Sequence, residues 1–121
     1  MLDPVDEYEL SLAVEELQNT FRQKLADYEL STKIVRGAEY HAGFQSISKL
    51  KGALDLAESV GDDTVTFFDV HNVGHTMHVR IARRVLEALG KSYQDIFAKK
   101  QRKMTEAAAC RNLKELRSVT W

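Results

Sequence analysis

Apolar residues recur at helical spacing along much of the chain. Leu10, Val14, Leu17, Phe21, Leu25 and Tyr28 step by 4, 3, 4, 4 and 3, which keeps them on one stripe of a helix. Glu15, Glu16, Arg22 and Asp27 fall on the opposite side. Asp3 and Pro4 make an N-cap and first-turn pair, and Asp6, Glu7 and Glu9 suit the positive end of the helix dipole. The pattern predicts a long first helix from Asp3 to about Ile34. Gly37 and Gly43 bracket a looser stretch, "GAEYHAG". Ile47, Leu50, Leu54 and Ala57 predict a second helix from about Phe44 to Val60, with Gly61 as its C-terminal stop.

A third helix is expected to begin at the Asp62-Asp63-Thr64 caps and to carry the apolar positions from Phe67 to Leu89, ending at Gly90. Ser92 and Asp95 resemble a capping box for a fourth. Its stripe holds Tyr93, Phe97, Met104, Ala107 and Ala108. Leu113 and Leu116 fall roughly 120–180° from that stripe, so either the helix breaks near Arg111 or the tail packs against something else. The expected fold is therefore all-α: an antiparallel four-helix bundle with a long first helix, in a single domain spanning residues 1–121. The alternative is an α/β arrangement with a short strand at 64–70, because "TVTFFDV" is β-branched and aromatic. "KIVRGAEY" would then be its partner.

Composition agrees with a helical domain. One proline and six glycines in 121 residues are too few turn formers for an all-β sandwich. Cys110 is the only cysteine, which excludes an internal disulfide and fits a reducing, cytoplasmic setting. No apolar run approaches a membrane span, and the acidic N-terminus is unlike a secretory signal.

The net charge of −1 conceals an asymmetry. Residues 1–78 hold 14 Asp and Glu against 6 Lys and Arg, whereas residues 79–121 hold 4 against 11. Acidic helices facing basic ones across the fold is one reading; a basic surface for an anionic partner is the other. For the second, Arg80, Arg83, Arg84, Lys99, Arg102 and Lys103 are the candidate contacts to phosphates or another anion. No complete nucleic-acid-reading motif accompanies them.

The candidate chemistry lies in "FFDVHNVGHTMHVRIARRVLEALG". His71, His75 and His78 are spaced i, i+4, i+7, so on a helix they share an arc of about 60°. Phe67, Phe68, Ala82, Val85, Leu86 and Leu89 lie near the same direction. The expectation is a buried histidine face, either structural or holding a divalent transition metal or heme. His41, Glu39 or Asp69 would supply the outside ligand. Such a seam would also respond to acid, because three like charges would meet in low dielectric. The stretch lacks the Glu of H-E-x-x-H and the E-x-x-H of di-iron bundles. "GKS" lacks the glycine of a phosphate-binding loop, and nothing beside Cys110 activates it.

These patterns contain no complete catalytic constellation. They imply a small protein that acts by association, as a homodimer or with a protein partner, most simply without a cofactor. Leu113, Leu116, Val119 and Trp121 are the expected interface. A metal- or heme-binding bundle and a nucleic-acid-associated regulator are the alternatives.

Overall fold

The computed structural model describes residues 4–121; the Asp3 cap lies outside them. The order is α1 (Pro4–Glu29), β1 (Thr32–Val35), β2 (Ala38–His41), α2 (Phe44–Ser59), β3 (Thr64–Phe68), β4 (Gly74–His78), α3 (Val79–Ala108) and α4 (Leu113–Arg117). The strands form two separate two-stranded antiparallel sheets, β1–β2 and β3–β4. The all-α bundle is thus corrected to a mixed fold, helical with two small hairpins. The chain divides into two compact units, one of Asp27–Asp95 and one of Met1–Ala26 with Ile96–Trp121.

The first helix ends at Glu29, just past its apolar stripe, and not at the expected Ile34. Ser31 turns its hydroxyl back to the Tyr28 carbonyl at 2.6 Å, competing with continuation of the helix. The β-branched Thr32, Ile34 and Val35 then favour an extended chain. Val35 pairs with Ala38, leaving a two-residue turn at Arg36 and Gly37, both at positive φ (52° and 79°). That is the turn whose twist matches a tight hairpin. The loose "GAEYHAG" stretch is therefore half of a hairpin.

The second helix runs almost as its pattern predicts. Gly61 adopts φ 78°, and the bonds Asp62 N to Ala57 O (2.9 Å) and Gly61 N to Glu58 O (3.2 Å) close its end as a Schellman motif.

Thr64–Phe68 is a strand, as in the α/β alternative, but its partner is Gly74–His78 rather than the 33–40 segment. Val65 and Phe67 are buried, whereas Thr64 and Phe68 are exposed. That alternation has the period of a strand. On the other face the hydroxyls of Thr66 and Thr76 meet at 2.8 Å. A Cβ at Gly74 would come within 3.0 Å of the Thr66 methyl and 3.2 Å of the Phe68 ring, so the hairpin closes around a residue without a side chain.

The expected stop at Gly90 and restart at Ser92 are also corrected: α3 continues through both for 30 residues. A helical glycine costs about 1 kcal/mol relative to alanine, and the flanking apolar face outweighs it. The helix ends at Ala108. Asn112 then caps α4 by accepting from Glu115 N at 2.8 Å.

In the Asp27–Asp95 unit, both hairpins, α2 and the first half of α3 enclose one core. Ala38, Tyr40, Leu54, Ala57, Val65, Phe67, Ala82, Val85 and Leu89 form it. Glu29 ties this unit's parts together. Its carboxylate accepts from Phe44 N at 2.8 Å and from the Tyr93 hydroxyl. A Cβ at Gly43 would sit 2.4 Å from the Glu29 carbonyl oxygen, so only glycine permits that approach.

In the other unit the buried side chains among the described residues are Phe21, Ala107 and Leu116, with Leu10, Ala13, Val14, Leu17, Met104, Cys110, Val119 and Trp121 packed around them. Gln18 Nε2 donates to the Met104 carbonyl at 3.1 Å, and Phe21 and Trp121 rings lie 5.7 Å apart. Among the described residues no helix is long and apolar enough to cross a membrane.

Candidate functional site

The helix expected to align the histidines does not exist at that place, and the buried histidine face dissolves with it. His71 lies in the loop between β3 and β4 and is exposed. His75 and His78 lie on β4 three residues apart, hence on opposite faces. His75 is half-buried and His78 is exposed. His41, the proposed outside ligand, is exposed at the end of β2. Among the described residues no three His, Cys, Asp or Glu side chains converge as a metal site would require.

What the hairpin builds instead is a hub on Asp69. One carboxylate oxygen, Oδ1, accepts from the backbone N–H groups of His71 (2.9 Å) and Val73 (3.0 Å). The other, Oδ2, accepts from His75 Nε2 at 2.8 Å. The Asp69 N–H donates to the Val73 carbonyl and the Asn72 N–H to the Asp69 carbonyl, each at 3.0 Å, and Asn72 takes the left-handed conformation (φ 60°) that asparagine tolerates. The His75 bond, followed by these backbone donors, holds the Asp69 carboxyl below the usual carboxylate range. The Tyr40 ring stands edge-on to His75 at 6.2 Å. Burial, with the nearby Asp69 charge, pushes the Tyr40 hydroxyl up. His78 plays a different part, since its Nδ1 accepts from Arg80 N at 3.1 Å and so caps the start of α3. Two of the three histidines thus serve the hairpin and the helix it feeds.

Beside this hub lies a cleft of about 490 Å³, wholly within the Asp27–Asp95 unit. Tyr40, Leu50, Ala53 and Phe68 give it apolar walls; His41, Ser46, Lys49 and Asn72 stand among its polar groups. Sequence reasoning missed this site. Its signal was the run of turn formers Asp69, Asn72 and Gly74, which interrupts any helix drawn through the histidines.

The candidate anion contacts divide between the two units. Arg83 pairs with Glu58 and Lys103 with Glu106 at 3.2 Å. The Lys99 ammonium sits 4.7 Å from the Trp121 ring centre. Arg80, Arg84 and Arg102 are exposed. Half of the proposed patch is therefore engaged within its own chain.

The tail residues expected at an interface are mostly held in their own unit. Leu116 is buried, and Val119 and Trp121 pack beside it; Leu113 remains 37% exposed. Two open grooves flank the α1 stripe of this unit. One, about 450 Å³, is lined by Ala13, Leu17, Leu113, Leu116 and Val119, with Glu16 and Arg117 at its edge. The other, about 390 Å³, includes Leu10, Val14, Ala108 and Cys110.

No protein-family model, curated protein or solved structure matches the chain, so the reading of these sites rests on their own geometry.

Proposed function

We propose that the protein is an association module that pairs with a second copy through the unit formed by α1, the end of α3 and α4. The observation that carries this is the pair of open grooves with apolar walls beside a core in which, among the described residues, Phe21, Ala107 and Leu116 are the buried side chains. Two packed helices and a one-turn cap cannot enclose the apolar stripes they carry; helical bundles do so with further helices. Burial of the groove walls would supply the driving force.

Charge favours a second copy over a foreign chain. Glu7, Glu9, Glu15 and Glu16 are exposed on α1, and none of them belongs to an ion pair among the described residues. Arg102, Lys114 and Arg117 are exposed on α3 and α4. A surface that carries both signs can meet itself across a two-fold axis, acidic helix against basic helix. The interface expected at Leu113, Leu116, Val119 and Trp121 is revised accordingly: Leu113, Leu116 and Val119 line the groove, Trp121 packs on the core, and Leu113 with the groove edge makes the contact.

Light scattering and sedimentation across a salt series test this. A dimer at micromolar concentration is expected, weakening as salt screens the charged rim. Leu113→Asp should yield a folded monomer. A wild-type chain that stays monomeric up to high micromolar concentration refutes the proposal.

A further inference from the structure

The cleft between α2 and the hairpins is unconnected with self-association, and its lining specifies a ligand. Its volume of about 490 Å³ falls in the range of small-molecule sites, roughly 300–1,000 Å³. Phe68 stands at its wall 59% exposed, on the outward face of β3, while its neighbour Phe67 fills the core. Leu50 and Ala53 of α2 continue the apolar lining.

The polar groups around this wall are not equivalent. Both oxygens of Asp69 are committed, to two backbone N–H groups and to His75. Thr66 is bonded to Thr76. Lys49 is exposed and has no ion pair among the described residues. Its ammonium offers three donors and no acceptor. Asp69 keeps its negative charge, but its acceptors are occupied; Lys49 is the ammonium left without a partner among the cleft's lining residues, and Ser46 and Asn72 add further donors. A ligand that satisfies them presents a charged acceptor at one end and a flat apolar body at the other.

We infer that this cleft binds an aromatic carboxylate, its ring against Phe68 and Leu50 and its carboxylate against the Lys49 ammonium. The carboxylate belongs either to a free aromatic acid or to the C-terminal residue of a peptide. An aromatic ring gains from stacking against Phe68 as well as from leaving water, and the ammonium–carboxylate contact is a charge-assisted bond.

The test is a heteronuclear NMR titration of the whole protein. The probes are 3-phenylpropionate, its neutral amide, and a short peptide ending in phenylalanine with either a free or an amidated C-terminus. Binding by 3-phenylpropionate, or by the free-carboxylate peptide, should shift the amides of His41, Ser46–Ala53 and Thr66–Asn72. Millimolar affinity suits a probe of this size. The arm that binds more tightly identifies the source. The amide forms, and the Lys49→Gln variant with the acids, should each bind about ten-fold more weakly, the loss of one charge-assisted contact. Phe68→Ala should weaken both forms alike. Both variants alter exposed side chains, so circular dichroism should be unchanged; should Phe68→Ala fail to fold, Lys49→Gln still decides. The inference is overturned if neither acid shifts these amides at millimolar concentration, if acid and amide bind equally, or if Lys49→Gln binds like wild type.

Discussion

Truncating Phe67 and Phe68 separately distinguishes a strand from a helix at the point where the fold departs from its sequence pattern. On a helix through this segment, both rings fall near the packed direction and both truncations should be costly. On β3 they point to opposite sides. Phe67 is 0% exposed, and Phe68 is 59% exposed. Phe67→Ala removes a ring from a core that also holds Leu54, Val85 and Leu89, and a cavity of that kind costs about 3–5 kcal/mol. Since a domain is stable by only about 5–15 kcal/mol, this is a large part of the total. With a urea dependence of about 1–3 kcal/mol per molar, the midpoint should fall by roughly 2 M. Phe68→Ala removes a ring that water already reaches over most of its surface, and should cost less than about 1 kcal/mol. The assay is urea unfolding followed by far-ultraviolet circular dichroism, with slopes compared to confirm that the unfolded states match. Equal losses at the two positions, or a greater loss at Phe68, would refute the strand assignment and the cleft wall together.

Three further outcomes follow from particular residues. Gly90 lies mid-helix with no positive φ, and a Cβ added there would meet nothing within 4 Å; Gly90→Ala should therefore raise stability by about 0.5–1 kcal/mol, read as a higher urea midpoint. The Asp69 carboxyl is held low by its bond to His75 and its backbone donors. Its stabilisation is present above the unfolded pKa, about 3.9, and is lost as pH falls through the lower folded value. The melting temperature should drop below about pH 4, and Asp69→Asn should flatten that drop in part, Glu115 being lowered likewise by Arg111. The Tyr93 hydroxyl is pushed up to about 12 by burial and then by its bond to Glu29 and that carboxylate's charge. An unfolded tyrosine ionises near 10, so stability should fall as pH rises from about 10 to 12; the last phenolate step in an ultraviolet titration should vanish in Tyr93→Phe and move down in Glu29→Gln.

The helices were legible where burial imposes one side of a helix over several turns. Leu10, Val14, Leu17 and Phe21 do share the packed side of α1, and Ala82, Val85 and Leu89 that of α3. The second helix could be read at both ends, because Gly61 is required there by its positive φ and by the Schellman bonds. The hairpins were not legible. Each of β3 and β4 spans five residues and turns only two toward the core, too few for a period of two to stand out beside a helix that begins at the next residue. The first hairpin also turns on Arg36 and Gly37 rather than on the Asn-Gly pair that announces such turns. Gly90 misled in the opposite sense: a glycine marks a helix end only when the backbone there needs positive φ, and α3 does not.

The histidines show why spacing alone did not locate the site. An i, i+4, i+7 pattern places three side chains together only if the intervening backbone is helical, since the same interval in a strand sends His75 and His78 to opposite faces. What defines the chemistry here is Asp69, which the histidine spacing offers only as an outside ligand. The Asp69 carboxylate accepts three hydrogen bonds, and those bonds set the loop, orient His75, and hold one edge of the cleft. With the acceptors of Asp69 occupied internally, the Lys49 ammonium is left as the group that selects what enters. The ligand preference of the cleft thus follows from a hydrogen-bonding decision made in the hairpin loop, and Asp69→Asn should weaken 3-phenylpropionate binding through disorder of the loop even though it removes a negative charge from the lining. If electrostatics alone governed the cleft, the same substitution would tighten binding instead, so the sign of the change separates a built site from a merely positive surface.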